Sequence, residues 1–311
     1  TVWQLVSKYL KSDYMRQAFS IHPLLVGGNP FETTSIYCLI HYLERKWGIY
    51  FARGGTGALV ASLHKLLEEV GVDVRLGTTV DKILVRNHVA DGVLLENGET
   101  VSADTVISNV DPMHLYGKLL DSSERRYSAA LKYKRAKLSM GLFVLYFGTS
   151  CTYPEVAHHT IWLGKRYRSL LRDIFHGDTL PEDFSLYVHR PTATDASFAP
   201  PGCDSYYVLA PVPHLGAKID WESEGPLLQE RIVKALDATL LPGLCDTIRE
   251  PFYMTPKSFA EDYLSHNGAG FSVSPIFQQS AWFRFHNKAE GPHNLYLVGA
   301  GTHPGAGVPG V

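Results

Sequence analysis

The sequence predicts an α/β protein built from two interleaved regions, and three observations predict it. Two glycine clusters each follow a short extended run, one at Arg53-Gly54-Gly55-Thr56-Gly57 and one after the apolar residues 294–298. A helical pattern over 58–70 leads directly into closely spaced β-rich runs up to residue 108. From about residue 137 the chain turns strand-rich and aromatic, so helix and sheet signals alternate rather than separate.

In chain order, residues 1–50 read as mainly helical. Leu5, Tyr9, Leu10, Met15, Ala18 and Phe19 recur at roughly helical spacing until His22-Pro23 breaks the run. A glycine- and proline-containing loop over 26–31 precedes a second helical stretch at 34–47, with Ile36, Leu39, Ile40 and Leu43 on one face. The helix over 58–70 stops at Gly71. Strands are predicted at 72–76, 80–86, 89–96 and 105–108, with Asn97-Gly98 as a tight hairpin turn. Farther on, the best strands are 142–147, 185–189 and 206–210, and helices are predicted over 166–175 and 224–240. The apolar residues 294–298 form a last strand before the terminal glycines. The expected organisation is a helical part at 1–50, a partial dinucleotide-binding domain from 51–112 and 290–311, and a substrate-binding domain over 113–289.

Composition excludes several function classes. With 311 residues, 45% hydrophobic and 19% charged, the chain can bury one large core or two smaller ones. A net charge of −2, with Lys and Arg spread evenly, gives no field for a phosphate backbone, so no nucleic-acid partner is expected. Cys38, Cys151, Cys203 and Cys245 are far apart and form no CxxC pair, which argues against zinc fingers and disulfide frameworks and fits a reducing, cytoplasmic setting. The longest apolar run, MGLFVLYFG at 140–148, is far short of the roughly 20 residues of a membrane span. No signal peptide is read at Thr1, and an aromatic content of 12% would suit a protein lying on a membrane surface.

The terminal cluster carries the strongest chemical signal. Gly299, Gly301, Gly305, Gly307 and Gly310 follow an apolar strand, and Gly305, Gly307 and Gly310 satisfy G-x-G-x-x-G, with Pro309 suited to the first turn of a helix. Such a loop lets backbone N–H groups approach an anionic cofactor group; the plainer reading is a turn joining strand to helix. Arg53–Gly57 admits the same two readings. Asp13 and Arg16, at i and i+3, read as a surface ion pair. His158-His159 are expected to point apart, with no carboxylate at suitable spacing, so no metal site is expected. The aromatic run 271–285 reads as core, and the absence of G-x-S-x-G removes hydrolases of that type.

The strings LLVGGNPF (24–31), RGGTGALV (53–60), ADTVISNVDP (103–112), SYYVLAPVPHLG (205–216), QSAWFRFHN (279–287) and NLYLVGAGTHPGAGVPGV (294–311) resemble bacterial and fungal phytoene desaturases, in register along the whole chain. The resemblance implies an FAD-dependent, amine-oxidase-like fold, with an incomplete dinucleotide-binding domain interleaved with a mixed-sheet and helical substrate domain. It implies dehydrogenation of 15-cis-phytoene to more conjugated carotenoids such as lycopene, with quinone or dioxygen as electron acceptor and peripheral attachment to membranes. Carried over by position, Gly54 and Gly55 match the family's glycine pair near the flavin, and Val80 a residue whose backbone meets the adenine. Ser108 and Asn109 lie near the cofactor in the same pattern, and Gly299, Ala300, Gly301, Pro309, Gly310 and Val311 flank the ribityl chain and ring. Asp13 and Arg16 match an acidic/basic pair near the family's substrate site.

Family members open with a βαβ unit bearing an N-terminal G-x-G-x-x-G and a ribose-binding Glu, and close with a further helix. Neither is found in 1–311, so the chain by itself is expected to bind FAD poorly and to be inactive. Two alternatives stay open: an isomerase or oxidase of other carotenoids within the same flavoprotein superfamily, and a non-catalytic lipid-binding remnant.

Overall fold

The computed structural model describes residues 1–307, so the expectations for Pro309, Gly310 and Val311 lie outside the described residues. The chain opens with helices α1 (Val2–Tyr9), α2 (Asp13–Ser20), α3 (Leu39–Trp47) and α4 (Gly55–Glu69). Strands β1 (Val80–Arg86), β2 (Val89–Leu95), β3 (Thr100–Ser102) and β4 (Val106–Ser108) follow, then α5 (Pro112–His114) and α6 (Tyr127–Arg135). Next come β5 (Gly141–Thr149), β6 (His159–Trp162), α7 (Arg168–His176), β7 (Leu186–His189) and β8 (Asp204–Val212). The chain continues through α8 (Trp221–Asp237), α9 (Leu244–Thr247), β9 (Ile248–Met254), α10 (Pro256–Asp262) and β10 (Leu295–Leu297).

Two compact units result, each assembled from separate stretches of chain. The first takes 1–45, 76–140 and 258 onward; the second takes 46–75 and 141–257. The expected grouping joined 51–75 to the β-rich runs that follow it. Instead α4 belongs with the second unit, where the Gly54 N–H donates to Asp195 and Gly55 lies against Phe198.

In the first unit, β1, β2 and β3 form an antiparallel meander, and β4 pairs in parallel with β10, Leu295 opposite Val106 and Leu297 opposite Ser108. The Asn97-Gly98 turn is present, with Gly98 at φ 85° and the Asn97 side chain accepting from the Glu99 N–H at 2.9 Å. The core of the unit gathers Met113, Leu115, Tyr116, Leu120, Phe285 and Leu297.

The second unit is a five-stranded antiparallel sheet in the order β6-β7-β8-β5-β9. Alternation along β5 and β8 sends Phe143, Leu145, Phe147, Val208 and Ala210 into a core shared with α8. The helix supplies Leu228, Ile232 and Leu236, spaced i, i+4, i+8 on one face. The other face of the sheet carries Tyr146 opposite Tyr207, half-buried and aromatic.

Several expectations need correction. The predicted strand at 72–76 is irregular and wholly exposed. Its alternating Val72, Val74 and Leu76 mimic a strand, but a strand exists only by pairing, and no ladder partner reaches it among the described residues. The first helical run is two helices, α1 and α2, broken at Leu10–Ser12. Two strands escaped the sequence reading. β6 has four residues, and β9 contains Pro251, which a sheet tolerates because β9 is an edge strand.

Candidate functional site

In the first unit the parallel pair β4–β10 places two predicted segments side by side. Val298 N–H donates to Ser108 C=O at 2.9 Å, continuing the ladder past the strand end. Gly299 then turns at φ 105°, and a Cβ there would stand 2.6 Å from Asn109 Nδ2. At Gly301 a Cβ would stand 2.4 Å from the Pro112 ring and 2.8 Å from Ser272 Oγ. Glycine is thus required at both positions by close approach, and at Gly299 also by its left-handed backbone. Ser108, Asn109, Gly299, Ala300 and Gly301 are brought together as expected. Val80 stands apart in the meander, opening β1 opposite Leu95.

Two residues that the sequence does not single out, Asp111 and Arg284, hold this loop. Asp111 Oδ1 accepts from Met113 N–H at 2.8 Å and from the Ser272 hydroxyl at 2.9 Å, while Oδ2 accepts from His266 N–H at 3.2 Å. Arg284, only 2% exposed, donates through Nε (3.1 Å) and Nη2 (2.5 Å) to the Ala300 carbonyl, and through Nη1 to the Gln279 carbonyl at 3.3 Å. No carboxylate lies within ion-pair distance of its guanidinium among the described residues. Burial pulls its pKa down to about 10, so it remains charged at neutral pH. A desolvated cation satisfied only by carbonyls leaves positive potential at the Gly299–Gly301 turn, which fits a ligand that carries or acquires negative charge. The one signal for Arg284 was a lone cation inside an aromatic run.

In the second unit, Gly54 (φ 75°) is the N-cap of α4 and Gly55 (φ 72°) begins it. Gly54 N–H is taken by Asp195 Oδ2 at 3.4 Å, and a Cβ on Gly55 would meet Phe198 Cζ at 2.7 Å. Here the glycines let the helix start against an aromatic wall. That wall belongs to a cavity of about 760 Å³ over the open face of the sheet, lined by Phe51, Phe198, Tyr146, Tyr187, Tyr207 and Phe252 among others. Its size is that of a small-molecule site, and its walls are aromatic.

His159 and His189 also line this cavity, and His158 packs beside them with ring centroids 4.4 and 4.7 Å away. The expected divergence of His158 and His159 does not occur, because His158 precedes β6 and strand alternation does not govern it. Burial, reinforced by the His158 and His159 rings, pulls the His189 pKa down to about 4. Asp13 and Arg16 form the expected i, i+3 pair at 3.1 Å, with Asp13 79% exposed and Arg16 Nε also donating to Leu10 C=O at 2.8 Å.

Residues 4–311 match the family of flavin containing amine oxidoreductases, and the chain belongs to that family. The cofactor of this family is a flavin, in agreement with the FAD expected above. The chain is 49% identical over 312 residues to a lycopene-forming phytoene desaturase of Pseudescherichia vulneris, matching all of this chain and 63% of that protein. It is 45% identical to a neurosporene-forming phytoene desaturase of Rhodobacter capsulatus, again over all of this chain and 60% of that protein. The chain thus spans about three fifths of the length of these curated relatives. Among solved structures, an oxidoreductase from Methanosarcina mazei shares the fold with a TM-score of 0.66 at 18% identity, covering 99% of this chain and 65% of that one.

Gly299→Ala is expected to lower unfolding stability by about 1–3 kcal/mol, from backbone strain plus the clash with Asn109. Adding Asn109→Ala removes the clash but not the strain, so denaturant unfolding of the double variant should recover only part of the loss. For His189 the folded value lies below the ordinary 6.5, so the unfolded chain binds the proton more readily. Stability is therefore full above pH 6.5 and falls as pH drops towards 4. NMR titration of the imidazole should find His189 still neutral at about pH 5; a midpoint near the ordinary value would contradict the burial argument.

Proposed function

We propose that this chain supplies the substrate cavity and part of the flavin site of a carotenoid desaturase that converts 15-cis-phytoene to more conjugated products such as lycopene. The observation that carries the reading is the 49% identity to a phytoene desaturase across the whole chain, joined to an aromatic-walled cavity of about 760 Å³. A C40 hydrocarbon offers no hydrogen-bonding handle, so its site must hold it by burial, at roughly 0.8 kcal/mol per CH₂. Transfer out of lipid offsets most of that gain, and selectivity falls to cavity shape. The planar rings of Tyr146, Tyr187, Tyr207 and Phe252 offer an apolar wall suited to a long hydrocarbon that becomes flat as it is conjugated.

FAD, when bound, accepts the two hydrogens removed at each new double bond and passes electrons on to a quinone or dioxygen. The residues of this chain position and polarise. Gly299, Ala300 and Gly301 would lie along the ribityl chain and ring, with Ser108 and Asn109 beneath them and Val80 towards the adenine. Arg284 keeps a buried positive charge behind Ala300, which would favour a ligand there that gains negative charge on reduction. Pro309, Gly310 and Val311 remain candidates for cofactor contact on the resemblance alone. Gly54 and Gly55 would admit the substrate beside Phe198. Asp13 and Arg16 remain candidates for the substrate region on the resemblance alone.

No described helix is long and apolar enough to cross a membrane. Peripheral attachment is proposed, supported by the exposed run Trp47 (60%), Ile49 (67%) and Tyr50 (89%), side chains that favour the bilayer interface. The test is a chimera in which this chain replaces the matching segment of the Pseudescherichia vulneris relative, produced in bacteria that accumulate phytoene. Red, conjugated carotenoid is expected by absorbance and chromatography. A chimera with full flavin absorbance and unchanged phytoene would sink the proposal.

A further inference from the structure

We propose that His158, His159 and His189 form a site for a single divalent ion of borderline softness, of which Zn²⁺ is the type, within the second unit. The proposal goes beyond the desaturase reading and does not depend on it. One imidazole nitrogen from each residue lies within 4.8 Å of the others. Nδ1 of His159 and Nδ1 of His189 are 3.4 Å apart and share hydrogen bonds with each other and with the Tyr187 hydroxyl, at 2.6 and 3.4 Å, which an ion would replace. With metal–nitrogen bonds of about 2.0–2.1 Å, neighbouring ligands of a tetrahedral ion stand about 3.3–3.4 Å apart, so this pair already spans one edge of the tetrahedron.

The third ligand has its own signature. His158 Nδ1 bonds the Thr194 hydroxyl, while His158 Nε2 is buried and has no hydrogen-bond partner. If Nδ1–H donates to Thr194, the lone pair falls on Nε2. This is the outer hydrogen bond that fixes the tautomer of a metal-binding histidine. An unpaired buried nitrogen otherwise costs stability, and an ion would satisfy it.

The ligands also stand on a rigid frame. His159 and His189 are direct partners across the β6–β7 ladder. His158 is tied through its carbonyl to the Arg190 N–H at 2.9 Å. Arg190 in turn is ion-paired at 3.1 Å with the buried Asp204. Three imidazole ligands without a carboxylate select zinc-like ions over Mg²⁺ or Ca²⁺, which demand oxygen ligands. The fourth position is left for water. A second cluster, His22, His41 and Glu44, also leaves a buried nitrogen unpaired, His22 Nδ1, but its Glu44 is taken by His22 Nε2 at 3.0 Å and His41 Nε2 meets the Phe19 carbonyl at 2.9 Å, so it serves as the control cluster.

The test uses the metal-free chain titrated with Co²⁺, whose visible absorption reports tetrahedral coordination, followed by displacement with Zn²⁺. One equivalent bound with a tetrahedral spectrum is expected. Uptake should be lost in the double variant His159→Ala/His189→Ala and in the milder His159→Gln, with folding checked by circular dichroism, and kept in His22→Ala. No stoichiometric uptake by the folded chain would overturn the proposal. So would uptake that survives the two cavity variants, or that disappears only in His22→Ala.

Discussion

The second unit depends on how it accommodates one buried carboxylate. Asp204, 2% exposed, opens the central strand β8 and would be costly to bury alone. Its oxygens accept from Tyr153 N–H at 2.8 Å, from the Thr192 hydroxyl at 2.5 Å and from the Tyr206 hydroxyl at 3.3 Å, and they face Arg190. Arg190 also donates to the carbonyls of Tyr153 and Val156. A buried network of this kind adds little net stability, since desolvation consumes the Coulomb attraction, but breaking it strands a charge in the core. Its consequence is positional. The segment 151–158, the end of β7 and the start of β8 are locked to one another, and with them His158, His189 and the aromatic cavity wall.

The first unit solves a related problem with the opposite charge. Arg284 is buried with no carboxylate partner among the described residues and uses its donors on the Ala300 and Gln279 carbonyls. In a region that only had to pack, a Met or Leu would avoid that cost. The arrangement makes sense where a turn must be held in shape and a positive potential kept beside it. Asp111 works towards the same end, tying α5, Ser272 and His266 together under the turn.

How much of this could be read in the residues varies with the kind of signal. Apolar and aromatic runs of strand length, such as β5 and β8, and the β10–glycine junction were legible because composition and turn chemistry are local properties. The strand expected at 72–76 failed for the same reason: its alternation is local, but the ladder partner a strand needs is not. β9 was hidden by Pro251 and charged residues that only its edge position permits. Asn109, Gly299 and Gly301 come from segments that the resemblance singled out, and the β4–β10 pairing sets them side by side. Arg284, Asp111 and the meeting of His158, His159 and His189 depend on contacts between distant stretches of chain, which no spacing rule encodes.

Family membership, fold and flavin dependence leave the seat of the polyene as the central claim. A polyene carrying a photoreactive diazirine, added to the chimera described above and followed by peptide mass spectrometry, tests it most directly. The account predicts labels on the cavity face of the five-stranded sheet, at Tyr146, Tyr187, Tyr207 and Phe252. Labels confined to segments outside 46–75 and 141–257 would contradict it.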